Sequence, residues 1–167
     1  MISRIPTSLK ALLVGLLLAS CQTAPTSDLE KVEALKKQVQ ADAQTLEQLK
    51  GNEFVQLERD FIACDSMLQY LHPEAIDEAF QGLQLTKAYL DQFEMEQPAI
   101  KADIDSTLYR LDCLCSDIES QYLSDSLTAV YIDDETQHAE LLNNQINYFK
   151  DRFGNCQNEL NALKGKK

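Results

Sequence analysis

Residues 135–138 read Glu-Thr-Gln-His, a spacing that places two metal-binding side chains on one face of a helix. Helical bundles with di-iron centres use this E-x-x-H unit, but they need a second copy of it and two further inward carboxylates. The only other histidine is His72, and it precedes Pro73, which disfavours helix at that position. We therefore predict no metal site and interpret Glu135 and His138 as part of a solvated helix face.

Motifs for other kinds of catalysis are also missing from the sequence. It contains no G-x-S-x-G or H-E-x-x-H pattern and no glycine-rich phosphate loop. Any base for a nucleophile would have to be one of the same two histidines. We therefore predict that the protein is not an enzyme, with no catalytic residues and no catalytic cofactor.

The amino terminus has the pattern of an export signal. The first ten residues contain Arg4 and Lys10 but no acidic residue, and a short apolar run follows over residues 11–19. A membrane-spanning helix needs about 20 apolar residues, so this run is too short to cross a bilayer. A basic segment followed by a short apolar one is typical of a secretory signal peptide.

The small residues that end this run have a further likeness. Leu18, Ala19, Ser20 and Cys21 resemble the lipobox of bacterial lipoproteins. The resemblance implies cleavage between Ser20 and Cys21, with covalent diacylglycerol and an N-acyl chain on Cys21 as the lipid attachment. It also implies a place in the cell envelope, and Gln22, which is not the aspartate of an inner-membrane retention signal, favours the outer membrane. The alternatives are an ordinary cleaved signal peptide and a buried amino-terminal helix.

Cleavage at this point would divide the chain into a signal peptide (1–20), a lipid-anchored tether (21–27) and a single folded domain (28–167). The mature chain would keep 13 basic and 27 acidic side chains, a net charge of −14. Such a surface repels phosphate backbones and anionic headgroups, so we expect no nucleic-acid partner. Contact with the membrane should therefore come through the acyl chains, two or more of which anchor a protein stably.

Beyond the tether, apolar residues recur at the three- and four-residue steps of amphipathic helices. Ser27 and Glu30 form a capping box that predicts the first helix start, and Pro73 predicts the first break. The predicted apolar stripes include Val32, Val39, Leu46, Leu57 and Cys64, then Ile76, Phe80, Leu83, Leu90 and Phe93, then Ile100, Ile104, Leu111 and Cys115, and finally Ile132, Ala139, Leu142, Ile146, Phe149, Phe153, Cys156 and Leu160.

Two positions leave the number of helices open. The stripe keeps its phase from Phe93 to Ile100, so either one long helix kinks at Pro98 or two helices meet there in a turn. Gly154 marks either a destabilising position inside a helix or a break, and a further turn is expected at 124–126. No alternating strand pattern competes with these segments. We predict an all-α fold, an antiparallel bundle of three long or four unequal helices with coiled-coil-like seams.

If Cys21 is acylated, an even number of cysteines remains, which in an exported protein predicts disulfides. These possible disulfide residues are Cys64, Cys113, Cys115 and Cys156. If the chain reverses at 72 and again near 97, Cys64 lies at the height of Cys113 or Cys115. We therefore expect one bridge from Cys64 to that pair, and a second one to Cys156 fits less well. The alternative is that Cys64, Cys115 and Cys156 are small apolar core residues.

The tyrosines allow two interpretations, and we favour the second. As exposed helix residues they would be binding anchors, and as half-buried residues they would close the margins of the core with a wet hydroxyl. They are Tyr70, Tyr89, Tyr109, Tyr122, Tyr131 and Tyr148.

Two functional hypotheses follow from these features. The first is a non-enzymatic, lipid-anchored lipoprotein of the cell envelope that acts as a helical interaction or scaffold module for another envelope protein. The alternative is a periplasmic binding or chaperone-like protein that holds a hydrophobic ligand or a cationic client in a groove between helices. A concave apolar patch above a few hundred Å² would favour the alternative.

Overall fold

The computed structural model describes residues 27–70 and 73–165, which contain helices and turns but no β-strand. The first helical segment comprises α1 (Asp28–Gln48), a π-helical stretch (Leu49–Glu53), α2 (Phe54–Met67) and a short 3-10 helix (Leu68–Tyr70). The second segment is α3 (Pro73–Glu119), and the third is α4 (Asp125–Lys164). The predicted all-α bundle is confirmed, with three long helical segments packed against one another.

The predicted capping box starts the first segment. The Ser27 hydroxyl accepts a hydrogen bond from the Glu30 backbone N–H at 3.2 Å, and the Glu30 carboxylate accepts one from the Ser27 N–H at 3.0 Å. Two backbone donors that the first helical turn leaves free are satisfied in this way.

The π-helical stretch is a feature that the apolar pattern did not predict. It widens the helix for one turn around Gly51, and the next residue, Phe54, turns toward the core. The ring of Phe54 lies 5.7 Å from that of Phe93 and 6.2 Å from that of Phe153. The first segment therefore contributes an aromatic residue to the centre of the bundle at the point where it changes phase.

Both open questions about helix number resolve to continuous helices. α3 continues through Pro98, and Gln97 beside it is buried. α4 includes Gly154 in its interior. In the described part of the chain, the connection between α3 and α4 forms a turn, where Gln121 adopts a φ of 53° and Ser124 occupies the N-cap position of α4. The turn lies just before the predicted 124–126, and the stretch after it, which has β-branched residues, is helical.

Interhelical hydrogen bonds define the directions of the helices. Bonds between α3 and α4 join Arg110 to Glu135 and Gln92 to Tyr148, so the two helices run antiparallel. Bonds from the first segment to α4 join Asp42 to Asn143 and, further along both helices, Asp60 to Gln157, so these two run parallel. The end with Ser27 is therefore also the end with the α3–α4 turn.

The core runs the length of the bundle and follows the predicted stripes at most positions. The correction concerns the first turns of α3, where the predicted Ile76 and Phe80 are exposed and Ala79 is buried instead, whereas the stripe is confirmed from Leu83 onward. The buried position there is Ala79, one residue before the expected Phe80. Sequence spacing alone did not distinguish these two positions. No helix in the described ranges is long and apolar enough to cross a membrane.

Candidate functional site

The predicted lipid attachment at Cys21 and the cleavage site after Ser20 lie outside the described residues, as does His72. These assignments stay predictions.

The cysteines after Cys21 are free thiols in the structure. The height argument for a bridge from Cys64 to Cys113 or Cys115 is wrong, because α3 does not reverse near residue 97. With a rise of 1.5 Å per residue, Cys64 and Cys115 lie about 50 Å apart along the bundle. That separation far exceeds the roughly 7 Å that a disulfide allows between Cα atoms.

Two of these thiols are buried in the interior and that of Cys115 is partly buried against the core, in agreement with the core alternative. Cys64 and Cys156 are buried, and the Cys64 thiol donates to the Leu160 carbonyl at 3.5 Å. Burial raises the pKa of Cys64, Cys115 and Cys156, which keeps each of them in the unreactive neutral form. Cys113 alone among the described cysteines is exposed.

The interpretation of the E-x-x-H unit as a solvated helix face is wrong for Glu135, which packs between α3 and α4, and holds for His138. Glu135 is buried, and its carboxylate accepts hydrogen bonds from Arg110 Nε at 2.5 Å and from Arg110 Nη2 at 3.1 Å. His138 lies on the exposed face with Nδ1 2.8 Å from the Asp134 carbonyl oxygen. In residues 27–70 and 73–165, no group of three or more His, Cys, Asp or Glu side chains is placed to hold a metal ion.

Arg110 is the central residue of this contact, and no sequence motif pointed to it. Its guanidinium also donates to the hydroxyls of Ser106 at 2.9 Å and Thr107 at 3.0 Å. The hydrogen bonds with Glu135 raise the pKa of Arg110, so its charge is fixed and paired. The available signal was composition, because Arg110 is the only lysine or arginine in residues 102–148.

A surface channel runs between α3 and α4 on either side of Arg110, and we call it the hairpin groove. Its defining residues are Tyr109, Arg110, Cys113, Tyr131, His138 and Leu141. One depression of about 210 Å³ lies between Tyr109 and Tyr131, and a second of about 420 Å³ lies beside His138 and Leu141. Arg110 borders both depressions, so they lie next to each other along the α3–α4 contact.

Large apolar side chains are exposed along this groove. Tyr109 is 70% exposed and Leu141 is 68% exposed, and Tyr131 is also open to solvent. Leu127 and Val130 extend the same side of α4 toward the turn. The expectation that tyrosines close the core margin holds for Tyr89, which packs against the core. It is wrong for Tyr109 and Tyr131 in the groove and for Tyr122 in the turn, which are exposed.

The groove also carries an excess of negative charge. Residues 102–148 contain ten acidic side chains and one basic one, Arg110, which is paired with Glu135. Asp105 and Asp112 pair with Lys101 and Lys36 outside this range. Asp103 lines one depression and Asp117 lines the other, with no lysine on either wall. The arrangement therefore combines exposed aromatic and aliphatic side chains with an excess of negative charge.

The fold and this surface define the class as an acidic three-helix bundle with an exposed apolar groove. Compared with known proteins, the chain matches no family model, no curated protein and no solved structure.

Proposed function

We propose that the protein is a lipid-anchored lipoprotein of the cell envelope that binds another envelope protein through a helix face, without enzymatic activity. The observation that carries this proposal is the row of large apolar side chains on the hairpin groove, of which Tyr109 and Leu141 are more than two-thirds exposed. Contiguous exposed apolar surface on a folded domain marks interaction sites, because leaving it in water is unfavourable.

The position of the groove suits an anchored interaction module. Ser27 and the α3–α4 turn lie at the same end of the bundle. A tether over residues 21–27 reaches at most about 20 Å when extended. An acylated Cys21 would therefore hold the groove within about 50 Å of the membrane surface. By the analogy at Gln22, we assign that surface to the outer membrane.

The alternative, a groove that holds a ligand or client, is less favoured, because the walls of the two depressions mix polar and apolar side chains and do not form the broad concave apolar patch that would favour it. The space between the helices is filled by apolar side chains, with the rings of Phe93 and Phe149 5.1 Å apart at its centre. The described depressions are open surface channels, and the walls of the hairpin groove carry carboxylates. Such walls suit a protein partner more than a lipid chain.

The anchor is tested by expressing the full chain in a bacterium that processes lipoproteins and supplying a palmitate analogue. We expect the wild-type protein to be labelled and to fractionate with membranes, and the Cys21→Ser variant to lose both properties. Cys113→Ser is the matched control, because it removes an exposed thiol of the folded domain and should leave labelling unchanged. Labelling that persists in Cys21→Ser, or that is missing from the wild type, would overturn the anchoring proposal.

A further inference from the structure

We propose that the hairpin groove receives a basic, amphipathic α-helix of the partner protein, which packs beside α3 and α4 as a fourth helix. This inference rests on the proposed interaction function and names the surface and the chemistry of its partner.

The spacing of the exposed residues fits a helix. On α4, Leu127, Tyr131, His138 and Leu141 follow one another at three-, four- and seven-residue steps, so they form one stripe. On α3, Tyr109 and Cys113 are four residues apart and face Tyr131 across the groove. From Leu127 to Leu141 the stripe is about 21 Å long, which matches four turns of helix. Helices that dock in such grooves insert anchors at the same three- and four-residue steps.

The depth of the groove fits side-chain anchors. Its depressions of about 210 and 420 Å³ lie on either side of Arg110 and are open to solvent. Each has room for large side chains from one or two turns of a docked helix. The ion pair of Arg110 and Glu135 forms the floor between them, and its bidentate geometry holds α3 and α4 at a fixed spacing.

Charge determines which helix is accepted. Residues 102–148 carry ten acids against one arginine, and that arginine is already paired with Glu135. Asp103 and Asp117 border the two depressions and have no lysine beside them on the groove walls. A partner helix with Lys or Arg flanking its apolar stripe gains attraction along both walls, and its cations also favour the tyrosine faces.

The same charge disfavours other occupants. A second copy of the chain placed groove to groove would bring the Asp103 and Asp117 carboxylates of both copies together at one interface, with no lysine on the groove walls to offset them. An anionic lipid surface would meet the same repulsion. The basic helix of a protein partner is the occupant that satisfies both the apolar stripe and the charge.

Cys113 supplies a direct readout, because its exposed thiol lies in the groove. The probe is a synthetic 18-residue helical peptide without cysteine, with leucine at the stripe positions and lysine elsewhere. The full chain is treated with a maleimide with and without the peptide, and labelling of each cysteine is followed by mass spectrometry. We expect the peptide to slow labelling of Cys113 at least fivefold. The thiol of an Ile62→Cys variant, on an exposed position of α2, should react at an unchanged rate.

Two sets of variants separate docking from general attraction. Leu141→Ser and Tyr109→Ser should each raise about tenfold the peptide concentration that is needed to protect Cys113 from labelling. Met95→Ser, at a similarly exposed apolar position on α3, is the matched control and should have less than a twofold effect. Asp103→Asn with Asp117→Asn should weaken protection more than Asp65→Asn with Asp77→Asn, which changes the net charge equally.

The outcomes decide between the possibilities. Equal slowing at Cys113 and at Ile62→Cys, or equal effects of Leu141→Ser and Met95→Ser, would overturn the proposal in favour of unspecific charge attraction. Equal protection by a peptide with glutamate in place of lysine would overturn the basic partner. A dimer in sedimentation that Leu141→Ser dissociates would assign the groove to a second copy. If Cys21 is acylated but the peptide does not protect Cys113, the groove proposal fails and the anchor proposal is retained. If the peptide protects Cys113 but Cys21 is not acylated, the anchor proposal fails and the groove proposal is retained.

Discussion

Three carboxylates are buried between helices, and each has a different electrostatic environment. Glu135 is paired with Arg110. Asp60 accepts hydrogen bonds from Lys164 Nζ at 2.6 Å and from Gln157 Nε2 at 2.7 Å, and these bonds lower the pKa of Asp60 to about 2. Asp42 accepts one bond from Asn143 at 2.7 Å, and burial raises its pKa. Among the described residues, the second oxygen of Asp42 has no hydrogen-bond partner.

Asp60 and Asp42 are therefore expected to respond oppositely to neutralisation. Asp60→Asn should lower the free energy of unfolding at pH 7 by about 1–3 kcal/mol, because it weakens a charge-assisted contact and leaves Lys164 without its partner. Asp42→Asn should raise it, since the variant removes a buried charge while keeping the bond from Asn143. Denaturant titrations of the full chain measure both changes. A stabilising Asp60→Asn would contradict the role given to Lys164.

The pH dependence of stability follows from the same two residues. The pKa of Asp60 is lowered, so its stabilisation is fully present above the ordinary value of 3.8 and is lost as pH falls through about 2. The pKa of Asp42 is raised, so protonation of Asp42 adds stability as pH falls through its folded-state value. Between pH 7 and pH 2, the free energy of unfolding of Asp60→Asn should fall less than that of the wild-type protein. An unchanged pH profile in that variant would contradict this prediction.

Thiol reactivity tests the interior positions of the cysteines. In the full chain with Cys21→Ser, Cys113 should react with a maleimide first, and Cys64 and Cys156 should react only when the bundle opens. Mass spectrometry at successive times measures the order, and a sample in denaturant, where all sites should react alike, is the control. Labelling of Cys64 in the native protein as fast as that of Cys113 would refute the packing described.

At the scale of elements, the helices tolerate two residues that usually interrupt helices. Pro98 lies within α3, where it provides no backbone donor to the preceding turn. Burial of its neighbours Gln97 and Ile100 shows that this stretch packs against the bundle. Tertiary contacts therefore compensate for the missing backbone bond, and this is the reason why local sequence rules left two alternatives at this position.

Gly154 offers a test of helix propensity with little interference from packing. A Cβ atom at this position would meet no atom within 4 Å, and α4 is continuous through it. Gly154→Ala should raise the free energy of unfolding by about 0.5–1 kcal/mol, because alanine loses less backbone entropy in a helix. Thermal unfolding followed by circular dichroism measures the change. Destabilisation by alanine would show that the glycine serves a conformation other than helix.

Gly82 on α3 provides a comparison for that experiment. A Cβ there would lie 3.5 Å from the Glu159 carboxylate, an ordinary contact distance. Gly82→Ala should therefore stabilise the helix by a similar amount while placing a methyl group beside a charged side chain. A smaller gain at Gly82 than at Gly154 would measure the cost of that contact.

At the scale of the whole molecule, charge opposes the compact state. The described ion pairs are largely at the surface, where each contributes little. The excess of acids is concentrated in residues 102–148. Folding holds these acids close together along α3 and α4, so their mutual repulsion should reduce stability in dilute buffer.

Added salt should therefore stabilise the protein. Between roughly 0.01 M and 0.3 M sodium chloride the screening length falls from about 30 Å to under 10 Å, and we expect Tm to rise by a few degrees. Asp134→Asn with Glu140→Gln should raise Tm in dilute buffer and reduce the dependence on salt. A Tm that falls as salt is added would instead assign a dominant stabilising role to the ion pairs.

The local features that the sequence predicted are those set by neighbouring residues. The Ser27–Glu30 capping box and the stripe from Ala139 to Leu160 depend on contacts three or four positions apart, so spacing is sufficient to identify them. Composition likewise determined the acidic net charge of the chain.

The remaining features depend on which helix faces which, so they arise from contacts between residues far apart in the sequence. Because α3 is continuous through Pro98, Cys64 and Cys115 lie at opposite ends of the bundle. The ion pair of Arg110 and Glu135 joins residues 25 positions apart. The hairpin groove exists because α3 and α4 lie side by side with Tyr109 and Leu141 left uncovered. An apolar residue at helical spacing gains free energy from any apolar neighbour, so its spacing does not specify whether the fold covers it or leaves it exposed.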